Sequence, residues 1–247
     1  MKVKSILVTQ PRPETDKSPY FDLEKKYSLK IDFRPFIHIE GISAKEFRQQ
    51  RINIGDYSAV IMTSRNSVDH YFRMCNEMRF TVPESMKYFC VSESTAYYLQ
   101  KYVVYRKRKI FHGKQNINDL LALIKKHKDE NFLLPCSDIH KEEVGEALDK
   151  QGIKYTKAIL YCTVASDLSD LANVNYDALV FFSPSGIVSL YQNFPKFKQN
   201  KTRIAAFGPT TAKAVLDSGL KLDIQAPTPK APSMTMALEE YIKKANK

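Results

Sequence analysis

At 247 residues, 43% of them hydrophobic, the chain can bury either one large core or two of about half that size. No apolar run approaches the ~18 residues of a membrane-spanning helix, and the opening MKVKSILVTQPRPE reads as a strand and turn rather than a signal peptide. A net charge of +11 points to a polyanionic partner, either nucleic acid or a small molecule rich in acidic groups.

In chain order the strand-like runs are SILVT (5–9), SAVIMTS (58–64), KYFCVS (87–92), FLLPC (132–136), ALVFFS (178–183) and RIAAFG (203–208). Helical patterns lie between them at 67–78, 94–102, 117–127, 141–152, 186–194 and 210–219, several opening at Ser, Thr or Asn and closing near Gly. This β-α alternation predicts an α/β fold of parallel sheets flanked by helices. The basic run YVVYRKRKIFHGK, with Arg106, Lys107, Arg108 and Lys109 in succession, reads as a solvated loop or edge strand. No zinc-finger spacing, aromatic RNA-binding signature or helix-turn-helix accompanies it.

The halves repeat. Tyr57 to Ser64 aligns without a gap on Tyr176 to Ser183, and Val91 to Ala96 on Phe207 to Ala212. A third pair matches the N-terminal strand–helix–extended segment with residues from Asn131 to Val164. The expected organisation is two similar α/β domains, one discontinuous (1–36 plus 166–247) and one inserted (40–158), joined by a two-stranded β linker near 33–40 and 157–165. A cleft between them, faced by equivalent turns, would grip one ligand.

The chemistry-bearing residues cluster where strands give way to helices, the ligand side of an open parallel sheet. Ser183-Pro184-Ser185-Gly186 and Gly208-Pro209-Thr210-Thr211 form two such turns, and Ser64, Arg65, Asn66 and Thr95 form their counterparts. Helix N-termini offer unpaired N–H groups and partial positive charge, which suit carboxylates and phosphates. Any one of these residues could equally be a helix cap. The five histidines show no HExxH spacing, and neither GxSxG, a Walker loop nor GxGxxG occurs, which argues against a nucleotide cofactor. The four cysteines form no CxxC pair and read as reduced, mostly buried thiols of a cytoplasmic protein; Cys136 and His140 are a remote metal possibility. Tyr161, in AILYCTV, either packs on a domain face or presents its phenol to the cleft.

FFSPSG (181–186), IAAFGPTTAKAV (204–215) and LYCT (160–163) resemble the C-terminal motifs of the uroporphyrinogen-III synthase family. MTSRNSV (62–68), VSESTA (91–96), LLPCSDIHKEEVGEAL (133–148), LVTQP (7–11) and APSMTMALEEYI (231–242) extend the resemblance along nearly the whole chain. It implies a two-domain α/β lyase, free of metal and organic cofactor, that dehydrates and cyclises hydroxymethylbilane with inversion of ring D, through an azafulvene cation and a spiro intermediate. The small-molecule substrate carries eight carboxylates, so the basic charge needs neither nucleic acid nor membrane, and the protein is expected to act as a monomer. By the same resemblance Tyr161 is the catalytic residue, assisting departure of the hydroxyl, while Ser183 and Thr211 bind carboxylates. Two departures stand out: Gln10 occupies a position that is Arg in many members, where Arg12 could supply the charge, and Ser92 replaces a glycine before Thr95. The alternative is a non-enzymatic binding or regulatory protein of the same fold.

Overall fold

The computed structural model describes residues 2–114, 116–139, 143–172 and 174–246. The chain forms two compact units, residues 1–38 with 164–247 and residues 39–163. It runs through β1 (Ser5–Val8), α1 (Pro19–Tyr27), β2 (Lys30–Phe33), β3 (Ile37–Gly41), α2 (Ala44–Gln49), β4 (Ala59–Met62) and α3 (Arg65–Glu77). Then come β5 (Lys87–Cys90), α4 (Glu93–Leu99), β6 (Ile110–His112), α5 (Ile117–Lys125), β7 (Phe132–Ser137), α6 (Glu143–Asp149) and β8 (Tyr155–Ala165). The chain closes with β9 (Ala178–Phe181), α7 (Pro184–Asn193), β10 (Arg203–Phe207), α8 (Pro209–Asp217), β11 (Leu222–Ala226) and α9 (Met234–Ala245).

The first unit holds a five-stranded sheet in the order β2-β1-β9-β10-β11, all neighbours parallel. Its central strands are buried on both faces, which is why SILV and ALVF read as unbroken apolar runs. Alternate residues feed two cores. Ile6, Val8, Ala178 and Val180 pack with Leu23 of α1 and Leu238 of α9, while Leu7, Leu179 and Phe181 pack with Ile187 of α7 and Val215 of α8. Helices therefore cover both sides of the sheet.

The second unit repeats the order as β8-β7-β4-β5-β6, with β3 added outside β8. Adjacent pairs from β8 to β6 are parallel. Val60, Met62 and Leu133 face α3 and α4 on one side; Ala59, Ile61 and Leu134 face α5 and α6 on the other. Each aligned pair of segments thus occupies equivalent places: β4 with β9, β5 with β10, and β7-α6-β8 with β1-α1-β2. The Ile42 N–H donates to the Leu160 carbonyl at 3.1 Å and the Ser166 N–H to the Phe36 carbonyl at 2.9 Å, so β3 and β8 run in opposite directions. The basic run folds as the turn before edge strand β6, where Arg106 pairs with Glu84.

Strand order reverses between β1 and β9 in one unit and between β7 and β4 in the other. Such reversals open a crevice beyond the strand C-termini. In the first unit Thr9 narrows it: its N–H and hydroxyl both donate to the Val180 carbonyl, at 3.0 and 2.8 Å. In the second, β4 and β7 pair only at Ala59–Phe132 and Val60–Leu133, while β7 continues alongside β8 to Ser137. The splayed ends leave a cavity of ≈ 470 Å³, lined among others by Thr63, Leu134, Cys136, Ser137 and Tyr161.

Candidate active site

Helix starts at the C-terminal edge of the first unit differ in how far they satisfy themselves. Ser183 caps α7, its hydroxyl accepting from the Gly186 N–H at 3.3 Å, with Pro184 entering the first turn without an N–H to satisfy. Ser185 is half-buried behind it. Gly186 is buried; a Cβ there would lie 3.3 Å from the Phe181 ring and 3.9 Å from the Thr9 hydroxyl, so the glycine lets α7 approach the crevice. At α8 the cap is Gly208, which supplies no side-chain acceptor. Its φ of +87° turns the chain sharply from strand to helix. Pro209 and Thr210 are exposed and Thr211 is 1% exposed. The start of α8, unlike those of α3, α4 and α7, has no side chain capping its first turn, and such a start is suited to an anion. Arg12 is exposed at the end of the β1 segment, its guanidinium 5.0 Å from the centre of the Phe21 ring.

In the second unit Ser64 caps α3 reciprocally: its hydroxyl accepts from Ser67 N–H at 3.2 Å, and the Ser67 hydroxyl accepts from the N–H groups of Thr63 and Ser64, each at 3.0 Å. Arg65 and Asn66 follow as exposed first-turn residues, with the Arg65 guanidinium 5.3 Å from the Tyr98 ring. Thr95 is 4% exposed and shares its hydroxyl with that of Ser92 at 3.0 Å. Ser92 therefore occupies the Thr95 hydroxyl within the cap of α4.

Tyr161 is the most elaborately surrounded of the expected residues. A bulge lies between Cys136 and Ser137: Cys136 faces Ile159, yet Ser137 faces Tyr161, leaving Leu160 as the extra residue. Consequently Leu160 and Tyr161, adjacent in sequence, join the same core cluster, where a regular strand would send them to opposite faces. The phenol borders the cavity and is 7% exposed. Burial raises its pKa above the ordinary value, outweighing the hydrogen bond with Ser64 that lowers it, so the group is protonated at neutral pH. Asp138, whose N–H donates to the Tyr161 carbonyl at 3.2 Å, is pushed upward by burial, but hydrogen bonds from Ser137, Ile139 and Thr163 together hold its carboxyl below the usual range. The cavity lining thus includes a neutral proton donor, Tyr161.

The family model described as uroporphyrinogen-III synthase HemD matches residues 22–236. The chain belongs to the uroporphyrinogen-III synthase family. A uroporphyrinogen-III synthase from Chlorobaculum parvum is 23% identical over 260 residues, covering 98% of this chain and 100% of the relative. One from Saccharomyces cerevisiae is 27% identical over 139 residues, covering 51% and 50% respectively. Among solved structures, uroporphyrinogen-III synthetase from Helicobacter pylori superposes with a TM-score of 0.61 at 17% identity, covering 98% of this chain and 99% of that one. A mutant uroporphyrinogen III synthase from Thermus thermophilus gives 0.54 at 16%, with the same coverage. These structural likenesses establish the two-domain α/β fold of the uroporphyrinogen-III synthases.

Sequence reasoning did not single out Thr9, Thr63, Ser137 or Asp138, although each ends or follows a central strand. It also passed over His70, Arg73 and Gln50. Their signal was absent because they act on β8, 87 to 109 residues away in sequence. His140 lies outside the described residues, and among the described ones no three His, Cys, Asp or Glu side chains gather where a metal could be held. A larger cavity, ≈ 900 Å³, is lined by residues preceding β9 and β10 and by the end of α7, and none of the donor turns borders it. No helix among the described residues is long and apolar enough to cross a membrane.

Proposed function

We propose that this chain is a uroporphyrinogen-III synthase, converting hydroxymethylbilane to uroporphyrinogen III with loss of one water and inversion of ring D. The observation that carries the reading is family membership over residues 22–236. The arrangement around Tyr161 supports it. A protonated phenol beside a cavity can donate to the departing hydroxyl of the bilane, so that water rather than hydroxide leaves and a delocalised cation remains. The substituted position of ring D then attacks that cation to form the spiro intermediate. Cleavage and re-closure invert the ring, and loss of a ring proton restores aromaticity and can return the proton to the phenol.

The donor turns act on the substrate's carboxylates. The first turn of α8, with Thr210 and Thr211 behind Gly208, and the Ser183–Gly186 turn of α7 take acetate or propionate arms, as do Ser64, Arg65 and Asn66 at the start of α3. Thr95, committed to Ser92, contributes through the cap of α4, and Arg12 supplies positive charge near β1. Holding ring D against the reactive methylene supplies much of the rate, because the free substrate closes without inversion. The protein works as a monomer without a nucleic-acid partner, and its four free cysteines, three of them buried, suit a reducing compartment such as the cytoplasm.

The test is to generate hydroxymethylbilane in situ, add the protein, oxidise the product and separate the uroporphyrin isomers. Isomer III is expected; isomer I alone would return the chain to the non-enzymatic alternative, which no observation favours.

A further inference from the structure

Around the bulge that turns Tyr161 toward the cavity, side chains add to the backbone bonds of β8, such as that from the Ile42 N–H to the Leu160 carbonyl. Three of them come from the end of α2 and from α3. Gln50, just beyond α2, donates to the Ile159 carbonyl at 2.7 Å and accepts from the Ile159 N–H at 3.0 Å. Arg73 of α3 donates from Nη2 to the Leu160 carbonyl at 2.8 Å, from Nε to His70 Nδ1 at 3.2 Å, and from Nη1 to Glu77. The His70 ring, one turn earlier on α3, stacks on Tyr161 with centroids 4.8 Å apart and planes 22° apart. Gly41 makes room for this network: a Cβ there would fall 2.6 Å from the Arg73 guanidinium carbon.

We propose that Arg73 and His70 are positioning residues for Tyr161, Arg73 fixing both the bulged backbone and the imidazole, and His70 serving as the plate that sets the angle of the phenol. The inference rests on the catalytic reading of Tyr161. Because Arg73 Nε–H donates to Nδ1, the imidazole carries its own proton on Nε2 and is neutral. Burial, then the Arg73 charge, lower the His70 pKa, against smaller opposing effects of Asp69 and Glu77. A neutral ring stacks on the phenol without placing a cation beside a site where positive charge develops in the reaction. Arg73, spending three nitrogens on three partners, cannot be replaced by lysine with the same geometry.

Two measurements separate this inference from the role of Tyr161 itself. In histidine-labelled protein, the ¹⁵N resonances of His70, assigned by their loss in His70→Phe, should report an Nε2–H tautomer at neutral pH. Arg73→Lys should release that preference. A tautomer carried on Nδ1, or one unchanged by Arg73→Lys, overturns the clamp whatever the activity. In the isomer assay, His70→Ala should lower kcat on the order of tenfold with KM little changed, as expected for a misaligned catalytic group. His70→Phe, which keeps the stacked ring, should recover most of that loss. Combined with Tyr161→Phe, His70→Ala should add little further loss, because its effect passes through the phenol. Fully additive losses would show that His70 acts independently and would overturn the proposal. Undiminished activity of Tyr161→Phe would instead refute the catalytic reading, while the tautomer would still test the clamp.

Discussion

Gly208 is the residue whose replacement tests the turn chemistry most cleanly. Its backbone has φ +87° and ψ 152°, a region left almost entirely to glycine, yet a Cβ there would meet nothing within 4 Å. Gly208→Ala therefore introduces backbone strain without a clash, costing about 1–3 kcal/mol. The chain could escape only by rotating the residue, which would endanger the Gly208 N–H bond to the Ala226 carbonyl (2.7 Å) and the Ala212 N–H bond to the Gly208 carbonyl (3.0 Å). Each such bond contributes about 0.5–1.5 kcal/mol, so both routes carry similar costs. At roughly 2–4 °C per kcal/mol for a chain of this size, Tm should fall by about 2–12 °C. The first turn of α8 should also lose its aim, raising KM for the bilane more than it lowers kcat. Thermal unfolding followed by circular dichroism, with steady-state kinetics below the new Tm, measures both. A variant as stable as the parent and with unchanged KM would refute the view that this turn needs glycine's backbone freedom and that it binds substrate.

Ser183→Ala should destabilise by about 1 kcal/mol and Ser183→Gly by only a few tenths, since glycine also caps well; equal losses in denaturant titration would argue against the capping role. Thr211→Val keeps the shape of a residue only 1% exposed while deleting its hydroxyl, so KM should rise with little change in Tm; unchanged KM would remove Thr211 from the binding set. Tyr161→Phe should lower kcat by about tenfold or more and leave KM nearly constant, the pattern of a proton donor. His70 titrates below its ordinary value of 6.5 in the folded protein. As pH falls below 6.5, the unfolded chain binds a proton that the folded chain resists, so stability should decline until the folded pKa is passed. His70→Phe should flatten that part of the pH–stability curve; an equally steep curve would assign the decline to other groups.

The fold was legible because its periodicity is local and doubled. ALVF and AVIM are continuous apolar runs since helices cover both faces of their strands, and the Ser-headed helices after them announce caps that the structure contains. Equal strand order in the two units is the structural counterpart of the gapless alignment of Tyr57–Ser64 with Tyr176–Ser183. Edge strands were harder. IFH at 110–112 is too short and too close to four basic residues to carry an alternation, and β11, LDIQA, interrupts its apolar residues with Asp223 and Gln225. At the candidate site, the sequence marked residues beside strand ends but could not tell ligand donors from self-satisfied caps. The Thr95 hydroxyl is engaged within its own helix start and that of Ser64 both caps α3 and bonds Tyr161, while Gly208 provides no side-chain cap. The surroundings of Tyr161 were invisible for a different reason. A one-residue bulge moves the side chain to the other face of the sheet, and the residues that hold it there, Gln50, His70 and Arg73, carry no motif.

The central claim is tested most directly by the isomer composition of the cyclised product, measured as the protein is titrated into freshly generated hydroxymethylbilane. The fraction of isomer III should rise with protein concentration until nearly all product is isomer III, and should fall toward the protein-free value for Tyr161→Phe at equal concentration. Isomer I at every concentration, matching the protein-free control, would contradict the assignment.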